Sequence, residues 1–168
     1  AAEYAAEIRR IMRYLKVSDG NMQEGSLRCD VNMSVRRGSK APFGTKVEIK
    51  NMNSFSAIQK ACDYEIQRQI QAYEKGEKVI QETRLWDESK QLTKSMRSKE
   101  GSSDYRYFPD PDLGPVELTQ ETLQLWQGQL PELPAAKRHR YADQFGLSIY
   151  DARVLTDEFS MASYFEAV

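Results

Sequence analysis

Along EGSLRCDVNMSVRR, Glu24 to Arg37, polarity changes at nearly every step. Leu27, Cys29, Val31, Met33 and Val35 fall on one side of an extended chain, and Arg28, Asp30, Asn32, Ser34 and Arg36 on the other. The run TKVEIKNM repeats the pattern, with Val47 and Ile49 opposed to Lys46, Glu48 and Lys50. Between the two, GSKAPFG supplies Gly38, Pro42 and Gly44, so the pair predicts an antiparallel hairpin with a long connection. Its register gathers Arg28, Asp30, Asn32, Lys46, Glu48 and Lys50 on one polar face.

Elsewhere a helical period replaces the alternation. Ala5, Ile8, Ile11, Met12 and Leu15 predict an opening helix whose connection closes at Gly20. Asn53 or Ser54 caps a second helix, with Phe55, Ile58, Cys62, Ile66, Ile70 and Tyr73 as its apolar positions and Gly76 at its end. VIQETRLWDES alternates again and returns the chain as a strand, with a shorter partner near Lys90–Ser98. In DYRYFPDPDLGPVEL, Pro109, Pro111 and Pro115 forbid a helix. Beyond Thr119 only helical patterns remain: a capped helix interrupted by Pro131 and Pro134, then runs over 135–145 and from Ile149 onward. The pattern therefore predicts an α+β fold: an antiparallel-sheet domain with packed helices over 1–118, a linker helix at 119–130, and the beginning of an all-helical domain at 131–168.

With 168 residues, 40% of them hydrophobic and 29% charged, the chain has the makings of a sizeable core and is neither disordered nor fibrous. No apolar run reaches the roughly 18 residues that a membrane-spanning helix needs. The acid-bearing amphipathic start resembles neither a secretion signal nor a transit peptide. A cytosolic or already processed chain is expected. Cys29 and Cys62 form no CxxC pair and read as buried thiols of a reducing compartment. A net charge of −1 gives no global attraction to nucleic acid, so any polyanion contact must be local.

Four stretches offer candidate chemistry. Carboxylates, cations and amides together on the hairpin face suit a phosphate-and-metal site, or equally a solvated face of cross-strand ion pairs. Asn51, Asn53 and Ser54 lie between a strand end and a helix start, where free N–H groups attract anions, although capping alone accounts for them. DYRYFPDPD crowds three aromatic rings, one Arg and three Asp into nine residues. It can stack a base and hold a metal, or simply pack as a rigid loop. The basic run AKRHR at 136–140, with the single histidine His139, reads as a solvated helix face or a phosphate-backbone contact. No Walker loop, nucleophile elbow or GxGxxG is present, so any ATP site is of an unusual kind.

EGSLRCDVNMSV, FGTKVEIKNMNSF, QETRLWDES and SSDYRYFPDPDL, in this order and spacing, closely resemble the GatB/GatE family, the B subunits of aspartyl/glutamyl-tRNA amidotransferases. The resemblance implies a β-rich cradle domain, here partial, followed by helical parts that engage tRNA. It implies a heterotrimer with an amidase (A) subunit and a small C subunit, acting on misacylated Glu-tRNA(Gln) or Asp-tRNA(Asn). ATP and Mg²⁺ convert the side-chain carboxylate to an acyl phosphate, which ammonia from glutamine displaces. Carried over, Glu24, Asp30 and Glu48 are expected as direct or water-mediated Mg²⁺ ligands, and Arg28 and Lys50 as phosphate contacts. Asn32 and Asn51 would orient the substrate carboxylate or metal-bound water, with Asn51 and Asn53 at the pocket edge. Tyr105, Arg106 and Asp110 are expected to meet the acceptor end. Further metal ligands of the family, a histidine among them, lie outside this chain, as do most of its helical domain and its tail. The chain is thus expected to be a piece of the subunit, inactive alone, in the cytoplasm or in a mitochondrial or chloroplast matrix. A non-catalytic scaffold retaining the same fold is the alternative.

Overall fold

The computed structural model describes residues 1–96 and 111–168. These fall into two compact units, 1–96 with 158–160 and 111–157 with 161–168. The stretch 111–118, ahead of the expected boundary, groups with the helices.

The first unit is α+β. It contains α1 (Ala2–Tyr14), β1 (Val31–Met33), β2 (Val47–Lys50), α2 (Phe55–Glu74), β3 (Thr83–Asp87) and β4 (Leu92–Ser95). The strands form one sheet in the order β1-β2-β3-β4. Both predicted hairpins form: β1 runs antiparallel to β2, with Val31 opposite Ile49, and β3 antiparallel to β4, with Trp86 opposite Thr93. The sheet as a whole is not antiparallel, however, because β2 and β3 are parallel, with Glu48 opposite Thr83. The cause is α2, whose 20 residues carry the chain about 30 Å back along the sheet before β3 begins, as a parallel crossover requires.

The first strand is also much shorter than its alternation suggests. Residues 22–27 form turns and bends, not strand. Turn chemistry prevails there: the Asn21 side chain accepts from Gln23 N–H at 3.0 Å, its carbonyl accepts from Ser26 N–H at 2.9 Å, and Gly25 takes φ +82°.

α2 begins as predicted, with the Ser54 hydroxyl accepting from Ala57 N–H at 3.0 Å, and closes at Gly76 with φ +75°. Its buried face agrees with the predicted one only toward its start, where Ile58 is buried and Phe55 and Cys62 pack against the core. Ala57, Ile58, Ala61, Glu65, Gln69 and Ala72 are buried, whereas Ile70 and Tyr73 are exposed. The sheet dictates this phase. Cross-strand partners share a face, so Arg84, Trp86 and Thr93 lie on the side of Val47 and Ile49 that α2 covers. Near α2's first turns that face is apolar, and Ile49, Met52, Ala57, Ile58, Ala61 and Trp86 make the core, joined by Ala5 of α1. Cys29 and Cys62 pack against its edge as free, half-buried thiols, whose pKa values burial raises.

Farther along, the inner face is polar, and α2 answers in kind. The fully buried Glu65 carboxylate accepts from Arg68 at 2.6 and 2.9 Å, from Gln69 at 3.0 Å and from the Thr93 hydroxyl at 3.0 Å. Arg84 stands 3.6 Å away and donates to Thr93 as well. The Gln69 side-chain oxygen accepts from Val35 N–H at 3.2 Å, fastening the chain just past β1.

In the second unit are α3 (Gln120–Gln129), α4 (Pro134–Phe145), α5 (Ile149–Leu155) and most of α6 (Phe159–Ala167). Buried Tyr141 packs on Phe145 and Phe165, with ring centroids at 5.6 and 5.0 Å. In the basic run of α4, His139 is exposed, whereas Lys137 and Arg140 are engaged by acids of the same unit. Lys137 is buried between Glu166, at 2.7 Å, and Glu132, at 3.2 Å, and Arg140 pairs with both. Burial alone would raise the Glu166 pKa, but bonds from Lys137, Arg140 and Tyr141 draw it down to about 2. Among the described residues no helix is long and apolar enough to cross a membrane.

Glu65→Gln tests the buried network. Burial opposes ionisation of Glu65, yet bonds from Arg68, Gln69 and Thr93 hold its carboxyl below the usual range. A depressed folded pKa gives stability that is fully present above the unfolded value, about 4.3, and lost as pH falls through the folded one. Urea unfolding at pH 7 should therefore show Glu65→Gln about 3 to 5 kcal/mol less stable than wild type. The gap should narrow on acidification below about pH 4. A gap independent of pH would show that the carboxylate charge is not what the network uses.

Candidate functional site

A cleft of about 300 Å³ opens where β2 ends and α2 begins, lined by Glu24, Arg28, Asp30, Asn51 and Asn53 together with apolar Met22, Leu27, Cys29 and Met52. Two separate stretches build it. The turn region of 22–27 brings in Glu24, and the extended chain leading to β1 brings in Arg28 and Asp30. On the other side the β2–α2 connection contributes Asn51 to Asn53. This connection is sharp because Asn51 adopts φ +68°, a left-handed conformation that Asn tolerates better than most residues. Its side-chain N–H donates to the Trp86 carbonyl at 3.0 Å, which ties the turn to β3. The left-handed turn ends β2 and sets Ser54 to cap α2.

The remaining predicted residues stand beside the cleft, on the outer face of the sheet. Asn32 lies opposite Glu48 across the β1–β2 pair, and Lys50 Nζ lies 3.5 Å from Asp30 and 3.6 Å from Glu48. The same Lys therefore links the cleft wall, through Asp30, to the sheet face. Glu48 also accepts from the Thr83 hydroxyl at 2.8 Å. Arg28 and Asp30 both precede the strand and both line the cleft, and Asp30 is tied to Glu48 through Lys50. Tyr105, Arg106 and Asp110 lie outside the described residues.

Thr83 and Met52 escaped sequence reasoning. Thr83 meets Glu48 only because β2 and β3 are parallel, which local alternation does not reveal. Met52 looks like a strand residue by pattern but lines the cleft from the turn.

As to metal, no three His, Cys, Asp or Glu side chains converge on one point among the described residues, so Glu24, Asp30 and Glu48 do not form a self-sufficient cage. The donor set fits Mg²⁺ in its other common form, in which one or two carboxylates complete a shell made mostly of phosphate oxygens and water. Glu24 and Asp30 share the cleft with the Arg28 cation, which attracts phosphate, and the cleft wall at Asn51–Asn53 leads directly into the cap of the 20-residue α2. A pocket beyond the carboxyl end of a parallel strand is also where open sheets with helical crossovers place their ligands.

Residues 1–124 match the GatB/GatE catalytic domain family. The chain belongs to that family. It is 81% identical over 167 residues to the B subunit of the aspartyl/glutamyl-tRNA(Asn/Gln) amidotransferase of Prochlorococcus marinus (strain MIT 9303), covering 99% of this chain and 34% of that protein. It is 82% identical over 168 residues to the protein of the same name from Synechococcus sp. (strain WH7803), covering 100% of this chain and again 34% of the relative. The chain thus spans about a third of the length of the curated relatives it matches. The GatB/GatE match takes in the whole cleft and the sheet beside it.

Within this member of the GatB/GatE family, Asn51 offers a direct check on how the cleft is built. Asn51→Gly should lose only the bond to Trp86, whereas Asn51→Ala should also meet left-handed strain of about 1 to 2 kcal/mol. Thermal denaturation should rank wild type above Gly above Ala. Equal stability of Gly and Ala variants would show that the turn does not depend on the left-handed backbone.

Proposed function

We propose that this chain contributes the activating site of a tRNA-dependent amidotransferase, preparing the side-chain carboxylate of misacylated Glu-tRNA(Gln) or Asp-tRNA(Asn) for amidation by ammonia from glutamine. The observation that carries this reading is the single cleft in which Glu24, Arg28, Asp30 and the Asn51–Asn53 turn meet at the start of α2. A carboxylate is a poor electrophile, and ATP with Mg²⁺, when bound, supplies a phosphoryl group that turns its oxygen into a leaving group.

The chain's own residues have the following parts. Glu24 and Asp30, with Glu48 close by through Lys50, would hold the metal directly or through water. Arg28 and Lys50 bind phosphate oxygens, and Lys50 exchanges its present carboxylate partners for them. Asn53 edges the nucleotide, and Asn32 orients the substrate carboxylate from the sheet face. Asn51 serves the site by shaping its turn, because its amide N–H is already engaged by Trp86. Tyr105 and Arg106 contact the acceptor end of the tRNA. In this reading the assembly includes an amidase (A) subunit and a small C subunit and works in the cytoplasm or an organelle matrix.

The pairing of Lys50 with Asp30 and Glu48 also suits a scaffold whose polar face merely neutralises itself. Asp30→Asn and Glu48→Gln in the full-length subunit, assembled with its partners, separate the two readings. ATP-dependent formation of Gln-tRNA(Gln) should fall about a hundredfold or more, the scale on which removing one preorganised electrostatic group acts. Glutamine hydrolysis by the amidase partner should persist. Undiminished transamidation in both variants would favour the scaffold.

A further inference from the structure

At the opposite end of the β1–β2 pair lies a second and larger cleft, about 950 Å³, floored by Met33, Val35, Phe43, Ile66, Ile70 and Tyr73. Ile66, Ile70 and Tyr73 are the α2 positions that sequence periodicity assigns to the core. The Glu65 network turns them outward, and Ile70 and Tyr73 are each 36% exposed, Phe43 72%. The walls are fixed in place. Gly44 N–H donates to the Val35 carbonyl at 3.1 Å and Thr45 N–H to the Tyr73 hydroxyl at 3.2 Å. A Cβ on residue 44 would fall 2.6 Å from the Val35 oxygen and 2.7 Å from the Tyr73 hydroxyl, so this close approach requires glycine. The Arg36 guanidinium lies 4.4 Å from the centre of the Phe43 ring.

The rim is charged in a defined way. Residues 36–46 hold Arg36, Arg37, Lys40 and Lys46 and no acid. Arg36 and Arg37 line the cleft from this loop, while Glu74 lines it from α2. None of the three forms an ion pair among the described residues. A polyanion would gain from the arginines but meet Glu74, and its backbone could not bury Ile66 and Ile70. An amphipathic polypeptide satisfies all three features: apolar side chains on the floor, acids against the arginines, and a cation toward Glu74. Arginine and aromatic residues at the edge of an apolar patch are also what partner interfaces favour.

We propose that this cleft docks an amphipathic segment of a separate partner subunit, one with apolar anchors flanked by acidic residues on the side that meets Arg36 and Arg37. The proposal rests on the subunit part of the functional reading, since the relatives are named as one subunit of an amidotransferase. It does not rest on the chemistry of the first cleft.

The test uses the full-length subunit in its purified assembly. A photoreactive benzoylphenylalanine placed at Ile70, which is already solvent-facing, should crosslink to a peptide of another subunit whose apolar residues are flanked by Asp or Glu. Crosslinks to a distant segment of the same polypeptide, to tRNA, or to nothing in an intact assembly would overturn the proposal. In parallel, Arg36→Glu with Arg37→Glu should weaken subunit association about tenfold at low salt, with an unchanged melting temperature. Binding of a non-hydrolysable ATP analogue to the isolated subunit should be unaltered. Unweakened association overturns the docking surface alone; loss of analogue binding in Asp30→Asn or its persistence speaks only to the activating site.

Discussion

Glu65 is the constraint on which the first unit turns. A carboxylate with no solvent exposure has to be fully paired or the helix that carries it cannot sit where it does. Its partners come from α2 itself, through Arg68 and Gln69, and from β4, through Thr93, while Gln69 extends the chain of bonds to Val35 beyond β1. One side chain therefore fixes the rotation of α2 about its axis and holds both edges of the sheet relative to it. With that rotation set, the amino-terminal turns of α2 close the apolar core on Ile49 and Trp86, and the Ser54 cap stands beside Asn51 and Asn53. The candidate site and the apolar cleft at the other end follow from the same orientation.

The two clefts differ as their surroundings do. The first gathers carboxylates, a cation and amide side chains from residues 24–30 and 51–53. The second is aliphatic and aromatic, with charges only at its rim, where Arg36, Arg37 and Glu74 form no ion pair among the described residues. The proposed activation at one place and docking at another call for two such surfaces, and the length of α2 keeps them apart. Lys50 connects the first cleft to the sheet: its ammonium group neutralises Asp30 and Glu48 at distances where a half-exposed pair contributes about 0 to 1 kcal/mol. So weak a pair is easily exchanged for a phosphate.

Much of this was legible in the sequence because it rests on local rules. The cap at Ser54, the stop at Gly76, the alternation of Val47 to Lys50 and the pairing of the first two strands all follow from neighbouring residues. Membership of the family was legible too, from four long motifs. What local rules could not supply was anything set by distant partners. Ile66, Ile70 and Tyr73 look like a core stripe until Arg84 and Thr93 are known to lie across from α2. β2 and β3 look like successive antiparallel strands until α2 is recognised as their crossover. By alternation Glu24 and Arg28 extend the first strand; Asn21 and Gly25 turn the chain at 22–27, and it is that turn that brings Glu24 to the site, with Arg28 entering from the stretch ahead of β1.

The central claim is that the cleft at the start of α2 binds a metal–nucleotide complex. It is tested most directly by adding Mn²⁺ with a non-hydrolysable ATP analogue to the isotopically labelled full-length subunit and recording paramagnetic broadening of assigned amide signals. The account predicts loss of signals from Glu24 to Asp30 and from Asn51 to Ser54, with Gly44 and Thr45 at the far cleft retained. Broadening centred on Gly44 and Thr45, or none above that caused by Mn²⁺ alone, would contradict it.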